Sequence, residues 1–227
     1  MVNLLAATAF FLAIHLLVSG TRVRDALTGA VGEGPYMGAF ALASLGGLAW
    51  LILAFGGARG GPQLWDVTPA TRIVQVLVTL AAFLLIVPGI TTRNPTSVRQ
   101  ETAVQRADVV KGMLRITRHP FLWGVALWAA GHLMVNGDAA SVVLFGSFLV
   151  LSIAGTFSID AKRRRKLGAD WDQFAAQTSN FPFGAVASGR QPLKLGEIGA
   201  WRIGLALAVW AAIAWAHPWL FGVRALP

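Results

Sequence analysis

The sequence predicts an all-α, polytopic membrane protein: one transmembrane domain over residues 1–227, with about six membrane-crossing helices. Three observations carry that expectation. Hydrophobic residues make up 56% of the chain and charged residues only 13%, about half the charged share of a soluble domain. The mean hydropathy is +0.62. Apolar runs close to the roughly 20 residues that span a bilayer recur along the whole chain. A plain soluble globule and a disordered chain are both excluded.

The elements follow in order. The first apolar run covers about 3–19 and contains His15. It lacks the basic start and small-residue cleavage site of a signal peptide, so it is read as a retained helix. The second covers about 36–57, and the third about 70–91. The fourth, about 120–136, opens on Pro120, which suits a first helical position because its missing N–H is not needed there. A tight turn, Val135-Asn136-Gly137-Asp138, leads into the fifth, about 139–159, and its Asn-Gly-Asp run predicts a positive φ. The sixth covers about 199–221 and carries His217-Pro218-Trp219 near its end, a belt-like aromatic run.

Charge sets the expected orientation. The net charge is +9, from 19 Lys+Arg against 10 Asp+Glu. Sixteen of those basic residues follow the first helix or fall in the loops at about 92–119 and 160–198 or their edges; only Arg59, Arg72 and Arg224 lie on the other side. The positive-inside rule places those loops in the cytoplasm and both termini outside, in the periplasm if the membrane is a bacterial inner membrane. The run Lys162-Arg163-Arg164-Arg165-Lys166 reads as a topology anchor on anionic lipid rather than a nucleic-acid site. The lipid bilayer is thus the main expected partner, with a second copy of the chain a further one.

The sequence has no cysteine and four histidines. Disulfides, thiolate-bound metals and cysteine nucleophiles are excluded. An ionisable side chain within the bilayer marks a functional site by default. By helical rise, His15 and His132 each lie roughly 18 Å in from opposite surfaces, so both sit near mid-membrane. Two neutral imidazoles there fit a bis-histidine haem or metal site between helices. The alternative is two unrelated histidines hydrogen-bonded across helices. Two ligands suit haem better than zinc, which takes three or four. Ala13, Ala129, Ala130 and Gly131 would leave room for a flat macrocycle. Trp128 and Asn136, four residues before and after His132, share its face, and Asn136 or a backbone carbonyl could orient the ring. His119 points away from His132, about 220° around the helix, and with Arg118 is expected at the cytoplasmic mouth, beside an anion such as a haem propionate.

These residues resemble a known family. Arg115-Ile116-Thr117-Arg118-His119-Pro120, then Gly124, Trp128 and His132, then Asp160 with Arg163 and Arg164, Leu167-Gly168 and Trp171, then Thr178-Ser179-Asn180-Phe181-Pro182-Phe183 and Gly189-Arg190-Gln191, are similar to the NnrU family of bacterial membrane proteins and its relative, zeta-carotene isomerase. Upstream, His15, Arg24, Gly32-Glu33, Tyr36 and Leu64-Trp65 match in kind and order. The resemblance implies a membrane protein holding haem b, with His15 and His132 at the positions of the two iron ligands. It implies cis-trans isomerisation of a hydrophobic polyene, or a redox or nitric-oxide-linked role in nitrogen oxide metabolism. One departure is Ala129, where plant isomerases carry a cysteine. The Arg-His-Pro-x-x-x-Gly run also resembles S-adenosylmethionine-dependent membrane methyltransferases, but only Asp160 stands where they place an acidic pair.

Overall fold

The computed structural model describes every residue except Ala107 and Pro227. Among the described residues it is all-helical, without a strand, with α1 (Val2–Ala13), α2 (Arg22–Val31), α3 (Glu33–Ala58), α4 (Pro69–Thr91), α5 (Met113–Ile116), α6 (Pro120–Val135), α7 (Ala139–Leu167), α8 (Ala169–Gln177), α9 (Gly184–Ala187) and α10 (Ala200–Phe221). Four helices, α3, α4, α7 and α10, are long and apolar enough to cross a membrane. A fifth span is formed if α1 and α2, bent by 79°, count together. The protein is therefore a multi-pass membrane protein. The remaining expected span, α6, has 16 residues, about 24 Å of helix against a hydrocarbon core of about 30 Å.

Local chemistry accounts for the ends. Thr68 accepts a hydrogen bond from the Thr71 amide while the Thr71 hydroxyl accepts one from the Thr68 amide, and Pro69 starts α4; this reciprocal cap satisfies two orphan donors. Asp138 caps α7 by accepting from the Ser141 amide at 3.0 Å, which is the usual work of an N-cap carboxylate. The expected positive φ in the 135–138 turn does not occur at Gly137. Glycine is needed there for space: a Cβ would lie 2.4 Å from the Trp65 carbonyl oxygen. The Leu64 amide donates to the Gly137 carbonyl at 2.7 Å, tying the loop after α3 to this turn.

Two helical boundaries differ from expectation. The fifth apolar run continues through the basic segment, so residues 160–167 belong to α7 rather than to a loop. Lysine and arginine are good helix formers and sit favourably at a helix C-terminus, and Gly168, at φ +53°, ends the helix. The first run changes character at Ile14–Val18, a π-helical turn that contains His15. A mostly exposed helix, α2, then departs at a steep angle.

The packing puts α6 between α4 and α7. Gly124 and Gly131 of α6 face α4: a Cβ on Gly124 would come within 2.8 Å of the Ala82 carbonyl oxygen, and one on Gly131 within 3.2 Å of Val78. Small residues let two backbones approach closely where lipid offers no hydrophobic drive. Gly131 thus serves helix contact with α4, not room for a macrocycle. The largest core cluster joins α1, α3 and α7 through Leu4, Ala7, Phe11, Leu51, Leu144 and Phe145.

Candidate functional site

His15 and His132 sit in matching local arrangements. The Nδ1 of His15 lies 2.8 Å from the Phe11 carbonyl oxygen, and that of His132 lies 2.8 Å from the Trp128 carbonyl oxygen, each four residues earlier. A carbonyl only accepts, so Nδ1 donates in both rings, and in the neutral imidazole Nε2 then carries the lone pair. Neither Nε2 makes a hydrogen bond among the described residues, and neither is an occluded orphan. This is the tautomer and orientation a metal-ligating histidine takes. For His132 the orienting group is the Trp128 carbonyl. Asn136 instead donates to the backbone carbonyl of His132 at 2.8 Å and does not touch the ring.

The two rings reach a common aromatic cluster without touching each other among the described residues. His15 packs on Phe11 at 4.4 Å and edge-on to Phe40 at 5.2 Å, while His132 packs on Trp128 at 4.7 Å and stacks on Phe145 at 4.9 Å. Phe148 contacts both sides, 5.9 Å from Phe11 and 5.7 Å from Trp128. Beside His15, Phe40 also forms a wall of an apolar groove of about 430 Å³, lined by Ile14, Val18, Leu27, Val31 and Tyr36 as well. His217, half-buried near the end of α10, has Nδ1 2.7 Å from the Val223 carbonyl oxygen.

The anion beside Arg118 and His119 is a carboxylate of the chain itself. Both are committed to Asp160 of α7. Arg118 Nε donates to Asp160 Oδ1 at 2.9 Å and Oδ2 at 3.1 Å, and its Nη2 also reaches Oδ2. His119 Nε2 lies 2.7 Å from Oδ1, and Asn180 Nδ2 donates to Oδ2 at 3.0 Å. His119 is 2% exposed. Burial pushes its pKa below the ordinary value, against the upward pull of Asp160. The Asn180 carbonyl accepts from the Thr117 hydroxyl at 2.5 Å and from Trp123 Nε1 at 2.8 Å. The segment after α8 is thereby stapled to the start of α6 and the end of α7.

Two further ion pairs gather the loops at this same end. Arg163, 6% exposed, donates to Glu101 at 2.5 Å and to the Ser97 carbonyl at 2.8 Å. Arg115 grips Glu197 with Nε at 2.7 Å and Nη2 at 3.1 Å. This contact, joined by the Gly112 amide, holds the Glu197 carboxyl down at about 2. The sequence pattern marks Asp160 as an acid but not as the shared partner of Arg118, His119 and Asn180, and it does not mark Glu197, whose partner Arg115 lies 82 positions away in the chain.

The family model described as NnrU protein matches residues 3–225. The chain belongs to the NnrU family. Among curated proteins it is 28% identical over 195 residues to the 15-cis-zeta-carotene isomerase, chloroplastic, of Zea mays, covering 85% of this chain and 52% of that protein. It is 25% identical over 135 residues to the protein of that name in Arabidopsis thaliana, covering 59% of this chain and 36% of that protein. The chain thus spans about half the length, or less, of these relatives. No solved structure matches it.

Proposed function

We propose that the protein is a haem b-binding membrane isomerase that converts a cis double bond of a hydrophobic polyene to trans, with His15 and His132 as the iron ligands. The observation that carries this reading is the matched pair of imidazoles, each with Nδ1 donating to a helix carbonyl and Nε2 left unbonded. Their donor chemistry fits haem: two neutral nitrogens, no competing carboxylate, aromatic surroundings. The family and the names of the relatives support the activity. The groove beside His15 supports an apolar substrate, because its wall offers hydrocarbon contact that lipid-soluble chains share.

Haem iron, when bound, supplies redox-tunable electron density that can lower the rotation barrier of a conjugated bond. The chain's own residues do the rest. The Phe11 and Trp128 carbonyls fix the imidazole orientations. Phe145 and Phe148 line the space beside His132 and Trp128 with apolar rings. The distribution of basic residues supports an orientation with both termini periplasmic, in the inner membrane of a bacterium. Incubation of the purified protein with a poly-cis carotene under reducing conditions, followed by chromatography, tests the activity. Conversion to the trans isomer is expected, and its absence overturns the isomerase reading.

A second reading, a redox or nitric-oxide-linked haem protein, is favoured by the two-imidazole set itself: if both His15 and His132 held the group, it would supply electron-transfer chemistry. Methyl transfer loses its support: Asp160, the acid in the methyltransferase-like position, already accepts from Arg118, His119 and Asn180, leaving little capacity for a ligand ammonium.

A further inference from the structure

A second cavity, of about 540 Å³, opens beside the Asp160 cluster and is lined by Arg118, Arg164, Arg190, Asp172, Ser179 and Asn180, among others. Three guanidiniums share its wall. Their charges are not equally neutralised. Arg118 is bound by Asp160 through Nε and Nη2. Arg164 meets Asp172 at 2.9 Å, but the side chains are 66% and 60% exposed, and such a pair contributes little. Arg190 has no carboxylate partner among the described residues. Its Nε donates to Ser188 Oγ at 2.8 Å, and its Nη1 donates to the carbonyls of Ala176 and Thr178, each at 2.9 Å. Those bonds hold the guanidinium at the cavity wall and leave Nη2 unused.

A fixed cation with an unbonded Nη2, two more guanidiniums lining the same cavity and one weakly held carboxylate make a preorganised receptor for an oxyanion. Guanidinium N–H groups donate charge-assisted bonds to phosphate oxygens, and several cations around one space suit a tetrahedral dianion better than a flat monovalent carboxylate. We propose that this cavity binds a phosphate group, carried either by a membrane-lipid headgroup or by a small soluble molecule. Its position at the end of α7, beyond the apolar stretch, is open to both sources. The site is separate from His15 and His132, and the inference does not depend on the isomerase reading.

The test uses the full-length protein in neutral detergent, with two probes. One arm titrates inorganic phosphate by calorimetry. The other offers phosphatidic acid diluted in phosphatidylcholine and measures its retention by native mass spectrometry. Saturable binding at one site is expected in at least one arm; phosphate alone identifies a soluble source, and phosphatidic acid alone identifies a lipid. Arg190→Gln and Arg164→Gln should each weaken that binding about tenfold, by loss of a charge-assisted contact, while Arg72→Gln, at the other end of the bundle, should leave it unchanged. Asp172→Asn should strengthen it. Because Arg190 also holds the end of α8, the exposed Arg164 variant is the one that separates binding from folding. No saturable binding in either arm, or binding indifferent to both Arg164→Gln and Arg190→Gln, overturns the proposal.

Discussion

Replacing Asp160 by asparagine is the sharpest test of how the Asp160 end of the bundle is built. The side chain keeps its size, so no cavity forms. What changes is charge and donor pattern. Asp160 accepts from Arg118, His119 and Asn180, all donors, and the asparagine amide would set its own N–H groups against some of them. Removing one partner of a buried pair costs about 3–5 kcal/mol because the other charge is stranded. Arg118 and Asp160 are 13% and 17% exposed, so some solvent reaches them and the lower end, about 3 kcal/mol, applies. For a chain of this size that corresponds to a fall in midpoint of roughly 6–12 °C. Thermal unfolding in neutral detergent, followed by circular dichroism, measures it. Asp172→Asn is the internal comparison, since its pair with Arg164 is exposed and its loss should fall within about 0.5 kcal/mol. An Asp160→Asn midpoint as close to wild type as that of Asp172→Asn would refute the reasoning that Asp160 is a structural hub.

Other outcomes follow from the same contacts. Gly124→Ala should push α4 and α6 apart and destabilise by about 1–3 kcal/mol, because the new Cβ meets the Ala82 carbonyl and the Ile86 side chain; the same unfolding experiment reads it. Glu197, held down at about 2 from an ordinary 4.5, has a folded pKa below its unfolded one. Its stabilising contribution is therefore complete above about pH 4.5 and is lost as the pH falls toward about 2; Glu197→Gln should flatten the stability profile across that window and leave the remainder of the curve unchanged in shape. Gly137→Ala should loosen the turn between α6 and α7 through its clash with Trp65, seen as faster amide exchange at Leu64, whose N–H bonds this turn.

The apolar helices were legible because hydropathy is a local property: each run declares itself within about twenty residues. His15 and His132 were legible for a related reason, since an ionisable group in an apolar run stands out in the sequence alone. The roles around them were less so. That the Trp128 carbonyl orients His132 while Asn136 bonds the backbone depends on rotamers, which helical spacing does not fix. The π-helical turn at Ile14–Val18 leaves no mark in the hydropathy of the run it interrupts. Asp160 was visible as an acid beside a basic run, but its partners come from before α6 and after α8, and such long-range convergence has no period to read. The helical extension of α7 was hidden because a basic segment marks a membrane boundary and says nothing about where the helix stops.

The central claim, that His15 and His132 hold haem, is tested most directly by the absorption spectrum of the detergent-purified protein after haem-replete expression. The account predicts a Soret band with the sharp visible bands of low-spin iron in the wild type. That signature should be lost or become high-spin in His15→Ala and in His132→Ala, and should be unchanged in His217→Ala. A wild-type protein without a Soret band, or a low-spin spectrum that survives both substitutions, contradicts it.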